Sequence, residues 1–350
     1  MFQAVFCSFL KIYIEKQYCF VHSAILWGRL RSMFNVLSRS STCFGLFFFV
    51  CSQIVYPLRA EANDFVVWSE VLGNKIQQAG LDGSSVAQFL STPKPMGLSV
   101  DNVNQKIYWS VWQEGKIKSI NFNGSGETDV ITGLNPGELV HFDLDIANNY
   151  IYYNHTTFGS NTSAIKRYNT SNSNTQLLYT ANFQVKDIVL NHSDGSVLFG
   201  AVVGGQGKIR KIKSDLSVVD VVDSPSTSIW GIDIDQSGGK VYWQSGNKIY
   251  RANLSGDPQR QEIIANAGQY GIALDTKNSK IYWTSNSSIS RANLDGTSSQ
   301  TIVNGLSTPV TIAIRGSVTN QAPSATAQSV SVNEDTQLSI TLAGTDLEGA

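Results

Sequence analysis

Beyond the first 62 residues this 350-residue chain has three histidines, His141, His155 and His192. An imidazole can serve as a general base or bind zinc, but these three fall in different stretches and show no His-x-x-x-His spacing. Gly204-Gly-Gln-Gly-Lys208 has the composition of a phosphate loop. The first glycine of that spacing is missing, and Ile209 stands where a Ser or Thr would hold Mg²⁺, so the stretch reads as a hairpin turn. No G-x-S-x-G elbow occurs. All four cysteines (Cys7, Cys19, Cys43 and Cys51) lie in the first 51 residues, so a chain trimmed of that region has no thiol, disulfide or cysteine-held metal. The remaining chemistry is that of contact, and it depends on what places the aromatic side chains.

What places them is a repeat. The aromatic positions Trp68, Trp109, Tyr153, Phe199, Trp243 and Trp283 are separated by 41, 44, 46, 44 and 40 residues, a period typical of propeller blades. In the last five copies an Asp or Asn (Asp101, Asp145, Asn191, Asp235, Asp275) precedes the residue before the aromatic by 7 positions. Downstream comes an isoleucine in every copy: Ile76, Ile117, Ile165, Ile209, Ile249 and Ile289. Turns such as Leu81-Asp-Gly83 and Leu294-Asp-Gly296 then send the chain back into a fourth strand. Predicted fourth strands are 86–90, 129–131, 176–179, 218–222, 262–264 and 301–303. The first copy starts at its second strand, Phe65-Val-Val-Trp68, whereas Val310-Thr-Ile-Ala-Ile314 is left over at the far end. Supplying that spare strand to the first copy closes the ring and removes two open edges. The fold class expected is all-β: a six-bladed β-propeller closed by a C-terminal strand, followed by a truncated Ig-like β-sandwich segment.

Composition agrees with an all-β chain. Charged residues make up 15%, and short β-branched or aromatic runs alternate with Ser, Asn, Gly and Thr. Residues 1–62 hold 6 basic and 2 acidic side chains, leaving 20 and 25 for the rest, a net charge of −5. That balance argues against a nucleic-acid partner, which needs a basic stripe. Arg29, Arg31 and Arg39, the apolar run Cys43–Cys51 and Ala60-Glu-Ala62 have the order of a secretory signal peptide. The run is too short to span a bilayer, so no transmembrane helix is expected in the mature chain. Met33 is a candidate start, with residues 1–62 as leader and 63–316 as propeller.

Tyr282-Trp-Thr284, Tyr242-Trp-Gln244 and Tyr108-Trp-Ser110, with Ile289-Ser-Arg-Ala-Asn-Leu-Asp-Gly296 and its counterpart Ile249–Gly256, resemble the low-density-lipoprotein-receptor class B (YWTD) repeat. The resemblance covers roughly residues 63–316 and implies a six-bladed propeller closed from its far end. The acid of the motif is kept only as Glu70; Val111, His155, Ala201, Ser245 and Ser285 hold its place elsewhere. The cysteine-rich modules of animal members are missing, so a lipoprotein or growth-factor receptor role does not carry over. Residues 317–323 read as a linker, and 324–350 resemble the opening of a bacterial tandem Ig-like or cadherin-like repeat. A sandwich domain needs about 100 residues, so this repeat is expected to be incomplete. The resemblance implies that calcium could be held there, with Glu334, Asp335, Asp346 and Glu348 as oxygen ligands. No other cofactor is expected.

Function in a propeller lies where loops enter the innermost strands. The residue before each innermost strand, taken in register, is Met96, Val140, Lys186, Trp230, Tyr270 or Val310; the next is Gly97, His141, Asp187, Gly231, Gly271 or Thr311. Trp230 and Tyr270, with Met96, Lys186, Asp187 and His141, form the candidate binding face, because aromatic side chains anchor interfaces. The competing reading is that they only pack the blade tops together. The expected function is a secreted or cell-surface protein, in a bacterial envelope setting, that binds a protein or glycan without catalysis. Two alternatives stand beside it: a calcium-dependent hydrolase or lactonase, and a structural spacer of a large surface protein.

Overall fold

The computed structural model describes residues 64–316 apart from 139, 157–161 and 257–258, together with 324–325 and 344–345. The leader, the linker and the four proposed calcium ligands lie outside the described residues, as do the sandwich strands expected at 329–332 and 338–342.

Among the described residues every element is a strand. The first blade begins with β1 (Phe65–Glu70), β2 (Lys75–Gly80) and β3 (Ala87–Ser91). The second has β4 (Pro95–Asp101), β5 (Lys106–Val111), β6 (Lys116–Asn121) and β7 (Thr128–Ile131). The third has β8 (Phe142–Asp145), β9 (Tyr150–Thr156), β10 (Ser163–Asn169) and β11 (Thr175–Ala181). The fourth has β12 (Ile188–Asn191), β13 (Ser196–Val203), β14 (Gln206–Ile212) and β15 (Val218–Ser224). The fifth has β16 (Ile229–Asp235), β17 (Lys240–Ser245), β18 (Lys248–Asn253) and β19 (Gln261–Ile264). The sixth has β20 (Ile272–Asp275), β21 (Lys280–Thr284), β22 (Ser288–Asn293) and β23 (Gln300–Asn304), and β24 (Pro309–Arg315) follows. Two short strands, β25 (Ser324–Ala325) and β26 (Gly344–Thr345), pair antiparallel.

The spare strand closes the ring as expected. β24 pairs antiparallel with β1, from Phe65↔Arg315 to Glu70↔Pro309, giving the order β24-β1-β2-β3 and six four-stranded sheets in all. The closure is clamped by Arg315, which donates to Gln78 Oε1 (2.8 Å) and to the Phe122 carbonyl (3.3 Å). Its guanidinium lies 4.2 Å from the Phe122 ring centre and 5.3 Å from that of Phe65, a desolvated cation–π arrangement.

Period-2 alternation explains why the repeat positions are where they are. All six isoleucines of the third strands are fully buried, and the six aromatics are at most 4% exposed. Between sheets they form the core. Trp243 and Tyr250 of the fifth blade, for instance, pack with Leu198 and Ile209 of the fourth. The Asp and Asn residues that end the innermost strands cap turns. Asp101 accepts from the Val103 and Asn104 amides, and Asp275 from Asn278. At the Asp-Gly turn, Gly83 has φ 87°, and a Cβ there would meet the Ile302 carbonyl of the sixth blade at 2.2 Å. Only glycine suits both the turn and that approach.

The residue after each blade aromatic is a polar stitch between neighbouring blades. Ser69 Oγ donates to the Met96 carbonyl (2.8 Å), Ser110 Oγ to Val140 (2.7 Å), and Thr284 Oγ1 to Val310 (3.1 Å). Asn154 Nδ2 donates to the Val185 carbonyl (2.5 Å), and Gln244 Oε1 accepts from the Tyr270 amide (2.8 Å). The fourth blade breaks the series with Gly200, whose place is filled by the Ile229 side chain. Glu70, the one retained motif acid, is structural. It accepts from Trp68 Nε1 (3.1 Å) and from the Ser307 amide (2.8 Å), tying the closing loop to the first blade.

Candidate binding hollow and central channel

The innermost strands β4, β8, β12, β16, β20 and β24 converge, and at the end where loops enter them the molecule has a hollow of about 290 Å³. Its walls include Met96, His141, Lys186, Trp230, Tyr270 and Val310. These are the register positions at the starts of the innermost strands, so a common blade geometry brings residues as far apart in sequence as 96 and 310 together. Connecting segments complete the rim with Val71, Leu72, Trp112 and Thr308. The Trp112 carbonyl accepts from the Gly137 amide (2.8 Å), and the Val71 amide donates to the Thr308 carbonyl (3.3 Å), so the rim is tied to its neighbours. Leu72 is 63% exposed, an apolar side chain held in water at the lip.

The aromatic wall is ordered by specific contacts. Trp230 and Tyr270 meet edge to face with centroids 5.3 Å apart at 74°. The Trp230 Nε1 donates to Ser228 Oγ (2.9 Å), which fixes the indole plane. Tyr270 has φ 139°, a backbone state that disfavours any side chain, and its amide is held by Gln244. Lys186 Nζ lies 3.4 Å from the centre of the Trp230 ring, a cation–π contact. Burial holds its ammonium below the usual lysine range, with no opposing charge contributing.

Below the hollow runs a channel of about 200 Å³, and its polar groups are satisfied differently. Asp187, expected on the binding face, is turned into this channel. Its Oδ1 accepts from its neighbour's amide, Ile188 (2.9 Å), and its Oδ2 from Ile232 of the next blade (3.1 Å). Asp143 likewise accepts from Leu144 (2.8 Å) and from Leu190 of the fourth blade (2.9 Å). Asp233 accepts from Ile234 (2.7 Å) and from Leu274 of the sixth (2.8 Å). Three carboxyls thus bind one blade's innermost strand to the next across half the ring. Burial raises all three above the ordinary carboxylate value, Asp187 strongly and Asp233 to about 7. The channel wall is therefore more acidic than the run of Gly, apolar and aromatic residues expected from register.

His141 Nδ1 lies 3.6 Å from Asp187 Oδ1 at the junction of hollow and channel, and burial lowers its pKa to about 4, so it is neutral at ordinary pH. His155 contacts the buried Glu138 on the third blade, and burial lowers its pKa too. Among the described residues no three His, Cys, Asp or Glu side chains gather as a metal ion would require.

Five of the six residues proposed for the binding face line one hollow, and Asp187 lies in the channel beneath it. The rim residues Val71, Leu72, Trp112 and Thr308 had no signal in the repeat, because they lie between strands. The channel carboxyls did have one: Asp143 and Asp233 each stand two residues before the turn-capping Asp and share its strand face.

Fold and site together define a six-bladed β-propeller with an aromatic hollow over a carboxyl-stitched channel. No protein-family model and no curated protein sequence matches the chain. Solved structures share the fold. A chain of the nidogen/laminin complex superposes with a TM-score of 0.65 at 16% identity, over 73% of this chain and 99% of that one. TolB from Acinetobacter baumannii gives 0.60 at 11% identity, over 72% of this chain and 66% of TolB. A protein of unknown function from Desulfotomaculum acetoxidans gives 0.50 at 12%. At these identities the likeness is one of fold, and it fits the YWTD resemblance of the repeats.

Proposed function

We propose that this chain is a secreted or cell-surface interaction protein whose propeller binds a polypeptide segment of a partner at the hollow. The observation that carries this reading is the Trp230–Tyr270–Lys186 cluster. Two large aromatic side chains and a cation stand at an open end of the molecule, with a strained backbone holding one of them. Strain retained outside the core accompanies function more often than folding, and aromatic anchors in a desolvated pocket dominate protein interfaces. A polypeptide suits the lining better than a glycan. Sugar hydroxyls need a dense set of hydrogen-bonding groups, and here most of the wall is apolar. Surface location is supported by the signal-peptide-like order of residues 1–62. The chain of the nidogen/laminin complex is a precedent for this fold within a protein–protein assembly.

The test is selection of a random peptide library and a glycan array against the purified protein, wild type and Trp230→Ala/Tyr270→Ala. Peptides enriched on wild type and lost on the double variant, with unchanged circular dichroism and Tm, are the expected result. Binding of glycans alone, or peptide binding indifferent to the double variant, would overturn the assignment of this face.

A further inference from the structure

Lys186 is the one feature of the hollow that apolar contact does not explain. Its ammonium is half-buried against Trp230 and makes no ion pair among the described residues. The nearest acid in sequence, Asp187, turns the other way and is held by two backbone amides in the channel. The other basic lining group, His141, is neutral. A cation held in an apolar wall without an opposing charge is disfavoured in the free protein. It becomes favourable once a desolvated anion is set against it.

Resting on the polypeptide-binding reading above, we infer that the hollow takes the free C-terminal residue of a partner chain, with its α-carboxylate on Lys186 and an apolar side chain against Trp230, Tyr270 and Trp112. Charge complementarity selects an anion, and the size and lining of the hollow select a chain end. A hollow of about 290 Å³ has room for roughly one large side chain and its terminal group. An internal acidic residue would carry backbone into the hollow from both sides, and every buried N–H and C=O of that backbone needs a partner. Apart from Lys186, polar side chains on the wall are few, notably Thr308 and His141. A C-terminal residue enters from one side only, and its terminus is the anion that the lysine lacks. Capture of chain ends is a recurrent mode of peptide recognition.

Ligand-observed NMR and calorimetry with N-acetyl-leucine and N-acetyl-phenylalanine, each as free acid and as primary amide, test this on the intact protein. Longer peptides ending in Leu or Phe, and the same peptides extended by Gly-amide after an internal Asp, form the second arm. The free acids are expected to bind at least about tenfold more tightly than the amides, the range of a charge-assisted hydrogen bond. Lys186→Gln should abolish that preference, Lys186→Arg should retain it, and neither should change the fold. Equal binding of acid and amide, or a preference for the internal-Asp peptides, would overturn the chain-end inference while leaving polypeptide binding at the hollow in place. If no peptide of either arm binds, both fall.

Discussion

The hollow and the channel are built from the same six strands one or two residues apart, yet they treat charge in opposite ways. In the channel, Asp143, Asp187 and Asp233 each accept two backbone N–H groups, one from their own strand and one from the next blade. In the hollow, Lys186 has, among the described residues, only an aromatic face. A buried polar group whose partners all come from the fold serves the fold, and one whose partners are incomplete points outward to a ligand. The difference separates Asp187 from Lys186, two neighbours that register alone had placed on one face.

The comparison breaks first at Asp187. Asp187→Ala leaves the Ile188 and Ile232 amides without their acceptor and should cost about 2–4 kcal/mol. That is a Tm lower by roughly 5–12 °C in a domain of this size, measured by calorimetry, with hollow binding retained at temperatures where the variant is folded. An unchanged Tm would mean that the carboxyl girdle is not a structural link.

The next effect is pH dependence. Burial raises the Asp233 pKa from its ordinary 3.8 to about 7. Because the folded value is the higher, the contribution of the protonated form is complete below pH 3.8 and is lost as pH rises through about 7. The Tm difference between wild type and Asp233→Ala should therefore be largest near pH 4 and shrink by several degrees toward pH 8. Constancy across that window would rule out a raised carboxyl there.

On the hollow side the expected stability changes are small. Tyr270→Gly relieves about 1–3 kcal/mol of backbone strain but loses an edge contact worth about 0.5–1.5 kcal/mol and gains unfolded-state entropy. The Tm should stay within roughly 3 °C of wild type while peptide binding is lost. A fall well beyond that would make Tyr270 a packing residue. Smallest of all, Lys186→Gln removes a cation that is already disfavoured by burial, so the Tm should hold or rise by about 1–2 °C. A clear fall would show that the cation–π contact is itself structural.

Much of the fold was legible because a propeller repeats its own arithmetic. The fourth strands came within a residue or two of their observed limits, as with 301–303 against Gln300–Asn304. The closing strand expected at 310–314 is Pro309–Arg315. Counting back from Asp235 and Asp275 located Trp230 and Tyr270, because equivalent positions of the innermost segments keep one register relative to the capped turn. What register could not supply was direction in depth. Lys186 and Asp187 are adjacent in the segment that leads into β12, yet one lines the hollow and the other the channel. Nor could it supply the loops, whose lengths differ between blades, and so Trp112 and Leu72 went unseen. The stitch series was visible in the letters Ser69, Ser110, Asn154, Gln244 and Thr284 but had no meaning until the neighbouring carbonyls were placed.

The closing ladder has a mechanical consequence. Phe65 and Arg315 stand opposite each other at one end of the β1–β24 pairing, so the chain enters and leaves the ring at the same point. Tension applied between the preceding and following segments would load that ladder one hydrogen bond at a time, in the unzipping direction, instead of shearing all of its rungs together. The first rung to feel the pull is the one clamped by Arg315 between Gln78 and the Phe122 carbonyl. In a protein tethered to a surface by both ends, that guanidinium would set the force at which the ring opens.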